Sequence, residues 1–320
     1  MVFVRLRRAA LLLVPVLVLV AACSSGSGGS SPSGSSGGTP TVKGGFGATP
    51  TITLPSGSAP TTLQTTVLVK GTGPVVAKGE LLVADYHGEL WDGGKVFDSS
   101  FTRGAPASFL IGTGAVIPGW DKALVGQTVG SRILLVIPPA DGYGSAGNSQ
   151  GGIKGTDTLV FVVDLRATFA PDASAKGVPA PPLGPTLPKV GTAPGAPSVT
   201  IPNVPPPTTL VSDYVVVAPG TAVAKGDLLV VQYVGKLWRT GKTFDASWLR
   251  GAPVGFTIGV GQVIPGWDTG LVGKKVGSRV LLVLPPKDGY GSAGNTQAGI
   301  KGTDTLVFVV DLLGAFHKAG

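Results

Sequence analysis

The sequence repeats itself once, at an offset of 289 − 142 = 147 residues. Residues 142–148 (GYGSAGN) recur at 289–295, and residues 152–165 (GIKGTDTLVFVVDL) recur at 299–312. The correspondence reaches back to residues 50–55 (PTITLP) and 197–202 (PSVTIP). Each copy is about 120 residues long, which is the size of a whole domain and well above that of a solenoid repeat. The repeat therefore predicts two similar globular modules.

The stretches outside the repeat predict the rest of the organisation. Residues 24–49 are rich in serine and glycine, which is typical of a flexible tether, and residues 171–196 are rich in proline, alanine and glycine, which favours a stiffer, extended linker. We expect a signal peptide at 1–22, a tether at 23–49, modules at 50–170 and 197–320, and a linker at 171–196.

The first residues carry the pattern of an export signal. Arg5, Arg7 and Arg8 precede an apolar run, Leu11–Val20, which is short for a membrane span. Small residues then lead to Cys23, the single cysteine of the chain. This arrangement resembles a bacterial lipoprotein signal, in which Cys23 would be lipidated and would anchor an exported protein to the membrane of the cell envelope. An ordinary secretory signal that contains a cysteine is the alternative.

Composition limits the other classes of function. The formal net charge is +8, but charged residues make up only 13% of the chain and no basic cluster is interleaved with aromatic residues, so nucleic-acid binding is not expected. With one cysteine there is no internal disulfide. Glycine (51) and proline (28) are abundant, which favours strands joined by many turns.

Within each copy the pattern is mostly that of β-strands. Residues 81–90 (LLVADYHGEL) alternate between two faces, and residues 132–137 and 158–165 are rich in β-branched residues. The one helix candidate, residues 118–125, has proline at its first position and Gly126 at its end. We predict an α+β fold: two tandem modules, each a curved antiparallel sheet wrapped around one short helix.

The familiar sets of catalytic residues are missing. His87 corresponds to Val234 in the second copy, and His317 lies near the C-terminal end. This excludes a repeated Ser-His-Asp site or a repeated histidine metal site. His87 is expected to be a solvated strand residue.

Apolar and aromatic blocks are what the two copies share, and their order carries a resemblance. The series Y-x-G-x-L, G-x-x-F-D-x-S, F-x-[IL]-G, V-I-x-G-W-[DE], G-Y-G and T-L-V-F occurs twice, over roughly 65–168 and 212–315, and it is similar to that of the FKBP-type peptidyl-prolyl cis-trans isomerases. The resemblance implies a proline pocket in each module, without a cofactor or a metal. The pocket residues it implies are Tyr86, Phe97, Asp98, Val116, Ile117, Trp120, Tyr143 and Phe161, with copies Tyr233, Phe244, Asp245, Val263, Ile264, Trp267, Tyr290 and Phe308.

The resemblance also implies roles for these residues. Trp120 would form the pocket floor, the backbone N–H of Ile117 would bind a substrate carbonyl, and Tyr143 would offer its hydroxyl to the ligand backbone. The glycine of VIPGWD is expected to permit a tight turn. Arg103 and Arg250 would hold Asp98 and Asp245, either as part of the pocket rim or only to order the loop, and both roles remain open. Phe109 is expected to be ordinary core, and Ile153 and Ile300 are supporting residues.

Two departures from the family pattern concern the pocket walls. An aromatic wall residue is replaced by Ala107 and Val254, and the flap reads Gly-Ile-Lys-Gly at 152–155 and 299–302 instead of an apolar pair followed by prolines. Both departures predict a more open pocket with uncertain affinity for large macrolides. The alternative to an enzyme acting on exported or envelope proteins is a non-catalytic module, in one or both domains, that binds proline segments or acts as a chaperone.

Overall fold

The computed structural model describes residues 38–317, which form two modules of the same architecture. Module 1 contains a hairpin, six further strands and two short helices. They are β1 (Thr41–Lys43), β2 (Thr51–Thr53), β3 (Gln64–Val69), β4 (Leu81–Leu90), β5 (Val96–Ser99), α1 (Ser100–Arg103), β6 (Ala107–Leu110), α2 (Pro118–Leu124), β7 (Arg132–Ile137) and β8 (Leu159–Phe169).

Module 2 repeats this order after one additional short strand, β9. The elements are β9 (Val178–Pro179), β10 (Lys189–Val190), β11 (Val199–Thr200), β12 (Val211–Val217), β13 (Leu228–Leu237), β14 (Thr243–Ala246), α3 (Ser247–Arg250), β15 (Val254–Thr257), α4 (Pro265–Leu271), β16 (Arg279–Leu284) and β17 (Leu306–Phe316).

Each module is built on one antiparallel sheet. In module 1 the strand order is β3-β7-β8-β4-β5, with β6 also paired to β4, and module 2 follows the same order with β9 added beside β12. The predicted strands and the predicted helix are confirmed, and so is the α+β class. The sheet curves around the short helix because one face of each strand carries the apolar residues of the core. In module 1 these include Leu82, Ile133 and Leu135, all fully buried.

On the opposite face of each sheet lies a hairpin whose first strand falls in the predicted tether or linker and whose second strand falls in the predicted module. In module 1, β1 pairs with β2, and Val42 and Ile52 pack against Trp91 on this outer face. In module 2, β10 pairs with β11. The ordered part of module 1 thus begins before residue 50, and the linker from about residue 175 belongs to module 2.

A buried arginine explains why these segments are ordered. Arg132 and Asp164 form a fully buried ion pair on the outer face, and the guanidinium also donates to the carbonyl oxygens of Gly44 and Ala48, each at 2.6 Å. Arg279 binds Asp311 and the carbonyls of 191, 193 and 195 in the same way. A buried charge requires such partners. The buried arginine therefore holds each glycine-rich segment in place by binding the backbone carbonyl oxygens of that segment.

The two modules meet through the outer faces of their sheets. Leu81 and Val83 of β4 pack against their own copies, Leu228 and Val230 of β13. Because residues that contact each other are related by the 147-residue offset, the joint resembles an isologous dimer interface. The outer face of each sheet therefore contacts the neighbouring module at the start of its long strand and the module's own hairpin elsewhere.

Between residues 38 and 317 no helix has the length and apolar character needed to cross a membrane. Cys23 and the predicted signal lie outside the described residues.

Candidate active site

An indole surrounded by aromatic rings is the centre of the site in module 1. The ring centroid of Trp120 lies 5.5 Å from Tyr86, 4.9 Å from Phe109 and 5.4 Å from Phe161, all in edge-to-face arrangements. Phe97 continues the cluster, 5.3 Å from Phe161. Five rings from four strands and one helix thus converge at one place, as the resemblance implied for Tyr86, Phe97, Trp120 and Phe161.

Module 2 repeats the same arrangement. Trp267 lies 5.3 Å from Tyr233, 5.2 Å from Phe256 and 5.2 Å from Phe308, and Phe244 lies 5.5 Å from Phe308. The Trp267–Phe256 pair is tilted and the other three are edge-to-face; such pairs contribute about 0.5–1.5 kcal/mol each beyond the area they bury. The ring geometry is therefore a property of both copies.

The short helix α2 presents the tryptophan. Pro118 occupies its first turn, where the missing N–H costs no helical hydrogen bond. Gly119 was expected to permit a tight turn, and this was wrong: it is an ordinary helical residue. A β-carbon at this position would lie 2.7 Å from Ile137, so glycine is needed to let the helix pack closely on β7. Gly266 has the same role against Leu284.

The aspartate of VIPGWD fixes the loop that leads to the site. Its two carboxylate oxygens accept the backbone N–H groups of Gly112 at 2.6 Å and Gly114 at 2.7 Å. Asp268 does the same for Gly259 and Gly261. Sequence reasoning gave Asp121 no role, although its recurrence in the second copy could have indicated one.

Gly88, in the long strand β4, leaves the space in which the rings of Phe97 and Phe161 pack. A β-carbon on Gly88 would come within 2.6 Å of Phe97 and 2.8 Å of Phe161. Gly235 is equally close to Phe244 and Phe308. The strand can therefore carry the two phenylalanine rings over its backbone only because it lacks a side chain here.

A closed network joins Tyr86, Asp98 and Arg103. The Tyr86 hydroxyl donates to the Asp98 carboxylate at 2.5 Å, and Arg103 donates to both, with 2.7 Å to the tyrosine oxygen. Burial, followed by the hydrogen bond to Asp98, raises the pKa of Tyr86 well above its usual range. The phenol therefore stays protonated at neutral pH and donates its proton to Asp98.

The same network occurs in module 2. The Tyr233 hydroxyl donates to Asp245 at 2.5 Å, and Arg250 donates to both groups. The guanidinium groups also lie over the tyrosine rings, at 5.2 Å in module 1 and 5.4 Å in module 2. The aspartate–arginine pair thus orders the tyrosine wall; a direct role at the pocket rim stays a prediction.

Val116 and Ile117 lie directly before α2 and pack against the core beside the indole. The Ile117 carbonyl accepts the N–H of Trp120 at 3.0 Å, and Ile264 does the same for Trp267. Within residues 38–317 no group accepts the N–H of either isoleucine. These two N–H groups therefore remain available for the substrate carbonyl that the resemblance implies.

The flap residues lie further out. Tyr143 follows a 3-10 turn and is 37% exposed, whereas Tyr290 packs against the core of module 2. Ile153 and Ile300 are buried, and each is held by a pair of backbone hydrogen bonds to Asn148 or Asn295. The two isoleucines support the flap from below, while the predicted role of the tyrosine hydroxyls stays a prediction.

Phe109 was expected to be ordinary core, and it packs against the core of module 1. Its ring also lies against both Trp120 and Tyr86, so it contributes to the ring cluster as well, as does its copy Phe256. His87 was expected to be solvated, which was wrong. It is buried on the outer face of the sheet, between Ser99 and Glu89, on the opposite side from the site.

Chemically, the site is a set of apolar surfaces with a few fixed polar groups. Among the described residues no group of three or more His, Cys, Asp or Glu side chains is placed to hold a metal ion. The indole N–H groups of Trp120 and Trp267 are buried without a hydrogen-bond partner in this part of the chain. Ring packing therefore holds each indole.

Comparison with known proteins agrees with this geometry. The model of the FKBP-type peptidyl-prolyl cis-trans isomerase family matches residues 73–166 and 220–313. The FK506-binding protein of Streptomyces anulatus is 42% identical over 117 residues, which cover 37% of this chain and 94% of that protein. The human peptidyl-prolyl cis-trans isomerase FKBP9 is 31% identical over 252 residues, or 79% of this chain.

The match to human FKBP9 covers 38% of that protein, so the chain spans well under half the length of this relative. Among solved structures, FkpA from Escherichia coli is 43% identical over 33% of this chain and 47% of that one, with a TM-score of 0.31. The family model matches once in each module, and the two matches together cover more than half of the chain. The chain therefore belongs to the FKBP-type peptidyl-prolyl cis-trans isomerase family and carries two such domains in tandem.

Proposed function

We propose that the protein catalyses the cis–trans isomerisation of X–Pro bonds in polypeptides. The observation that carries the proposal is the cluster of aromatic rings around Trp120, repeated around Trp267, which we call the aromatic cradle. Beside each cradle lies the backbone N–H of Ile117 or Ile264, for which no acceptor is found within residues 38–317. A proline ring is a compact apolar group, which matches the apolar character of this ring cluster. Family membership supports the same activity.

The chemistry needs no nucleophile or general base. The planar X–Pro amide is stabilised by resonance, and rotation about its C–N bond meets a barrier of roughly 18–20 kcal/mol. Water solvates the charge-separated planar amide better than the twisted one, because the twisted amide has lost that charge separation. A pocket lined by rings removes this advantage, and each gain of about 1.4 kcal/mol in the transition state raises the rate tenfold.

Each group of the cradle has a part in this mechanism. Trp120 provides a rigid apolar floor for the proline ring, and the N–H of Ile117 positions the preceding carbonyl. The hydrogen bonds that Asp98 and Arg103 make with the Tyr86 hydroxyl hold its ring in place, so that this wall of the pocket stays fixed while the X–Pro bond rotates. Module 2 offers the same groups.

The experiment that tests this function measures cis–trans exchange in a short proline peptide by NMR, with the protein at low molar ratio to the peptide. Catalysis accelerates the exchange of the whole peptide pool. The alternative, a module that binds proline segments without turnover, would shift or broaden the resonances and leave the exchange rate of free peptide unchanged.

We also propose that the protein acts outside the cytoplasm as a lipid-anchored protein. The support is the sequence around Cys23: a basic start, an apolar run and small residues directly before the cysteine. The lipids of a bacterial lipoprotein supply the two or more acyl chains that stable anchoring needs. Its substrates would then be exported or envelope polypeptides.

A Cys23→Ser variant tests the anchor. We expect it to move from the membrane fraction to the soluble fraction on cell fractionation, because serine cannot carry the thioether-linked lipid. The unaltered chain, followed in parallel, should stay with the membrane. Retention of Cys23→Ser in the membrane fraction would contradict lipidation at this position.

Macrolide binding remains a further proposal. The name of the Streptomyces relative says that it binds FK506. In the present chain the wall position on β6 is Ala107 and its copy is Val254, and both are only partly buried. A smaller wall leaves less surface for a large ligand, so we propose weak macrolide binding at both pockets.

A further inference from the structure

The outer edge of the sheet is paired with a further strand in module 2, whereas in module 1 no strand of residues 38–317 pairs with it. In module 2 the linker strand β9 pairs antiparallel with β12, with Val178 opposite Val217 and Pro179 opposite Val216. In module 1 the equivalent strand is β3, and no described strand lies along its outer edge. An uncovered edge presents backbone groups that an added strand can bind.

Residues of β3 and β12 that correspond at the 147-residue offset differ in solvent exposure. Val215 and Val216 of β12 are 6% and 3% exposed, whereas their counterparts Leu68 and Val69 of β3 are 37% and 39% exposed. The neighbouring Val67 is 44% exposed. Three consecutive apolar residues on an open edge strand form a surface that a folded protein normally protects.

The way module 2 covers its edge shows what kind of chain fits. Ala180 donates its N–H to the carbonyl of Val215 at 3.0 Å, and Lys176 donates to the carbonyl of Gly277 at 2.9 Å. A β-carbon on Gly177 would lie 2.0 Å from the carbonyl oxygen of Val217, so the segment lies directly against the strand. Pro179 is tolerated because an edge strand has one side without ladder partners.

We propose that the β3 edge of module 1 is a second binding site for substrate, which takes an extended, apolar, proline-containing segment by strand addition. Strand addition obtains affinity from main-chain hydrogen bonds and specificity from alternate side chains. Leu68 and Val69 would take the places that Val215 and Val216 take beneath β9. The site rests on the proposed function, since a proline-directed isomerase meets such segments in its substrates.

The position of this edge separates it from the catalytic pocket. β3 lies at the opposite end of the strand order from β5, which carries Phe97. A segment on β3 therefore leaves the ring cradle free, and one polypeptide can contact both sites. Binding at the edge would hold an unfolded chain near the pocket, and the bound segment would not compete for the pocket with the X–Pro bond that is isomerised there.

The test uses the synthetic heptapeptide Ala-Lys-Gly-Val-Pro-Ala-Pro, which copies residues 175–181. Hydrogen exchange on the full chain should show slower exchange at the amides of residues 67–70 when the peptide is added. The chain's own linker holds the module 2 site at high effective concentration, so the added peptide reports on module 1.

A Leu68→Glu variant should bind the peptide about tenfold more weakly, which corresponds to about 1.4 kcal/mol. The matched control is Val75→Glu, since Val75 is also exposed (59%) but lies outside β3. Leu68→Glu should keep the isomerisation rate of a short proline peptide, because the cradle is untouched. It should accelerate the refolding of a protein substrate less than the unaltered chain does, because the extended chain of such a substrate reaches both sites.

Two results would overturn the proposal. These are unchanged exchange at residues 67–70 with the peptide, and equal peptide affinity of Leu68→Glu and the unaltered chain. Absence of isomerase activity toward the short peptide would count against the proposed function, and the exchange data would still report on the edge by itself.

Discussion

Replacing both pocket tryptophans, Trp120→Leu together with Trp267→Leu, should remove most of the acceleration of prolyl isomerisation. In the proposed mechanism each indole is the surface on which the proline ring rests, and losing about 1.4 kcal/mol of transition-state stabilisation at both pockets lowers the rate about tenfold. Leucine keeps the site apolar but cannot give the proline ring a wide, flat floor. The rate of cis–trans exchange in a short proline peptide measures the loss.

The chain itself supplies the control for this variant. Trp91 and Trp238 are also buried, but they lie on the outer faces of the sheets, with their indole N–H groups donating to the carbonyls of Gly57 and Val204. Trp91→Leu with Trp238→Leu should lose comparable stability, because large-to-small changes in a core leave cavities, and should keep the activity. Equal loss of activity in the two double variants would assign the effect to folding.

Removing the guanidinium of Arg132 should give the largest loss of stability in module 1. Arg132→Met keeps much of the side-chain volume but leaves the Asp164 carboxylate buried without its counter-ion. Losing one partner of a buried pair costs about 3–5 kcal/mol, a large part of the total stability of a domain of this size. Urea unfolding of the full chain measures this cost.

The same variant should release the segment before residue 50. The carbonyl oxygens of Gly44 and Ala48 lose their donor, so the β1–β2 hairpin should exchange its amide hydrogens faster. Lys154→Met, an exposed substitution in the flap, serves as the control. A cost below about 1 kcal/mol for Arg132→Met would show that the pair acts as a surface ion pair does.

The sequence alone predicted the strands whose residues alternate with a period of two, and the motifs that recur in both copies. Tyr86, Trp120 and Phe161 were predicted because the motif order is kept twice, and the helix at Pro118 because proline marks its first turn. Phe109 was assigned to the core because an aromatic at strand spacing usually faces the interior. Only the fold shows that its ring reaches the indole.

Composition misled the prediction of the spacers. Residues 38–49 have the glycine-rich pattern of a tether, and their order depends on carbonyl groups that bind the distant Arg132. Backbone acceptors have no side-chain signature, so no reading of these residues alone could find the contact. His87 was predicted wrongly because histidine alternates with apolar residues along β4, whereas the fold buries it between Ser99 and Glu89.

The most direct test of the central claim is the exchange rate of a short proline peptide, measured by NMR in the presence of a small molar fraction of the unaltered protein. The account predicts faster cis–trans exchange in proportion to the protein added, and loss of this acceleration in the double variant of Trp120 and Trp267. An exchange rate equal to that of the peptide alone would contradict catalysis by the two aromatic cradles.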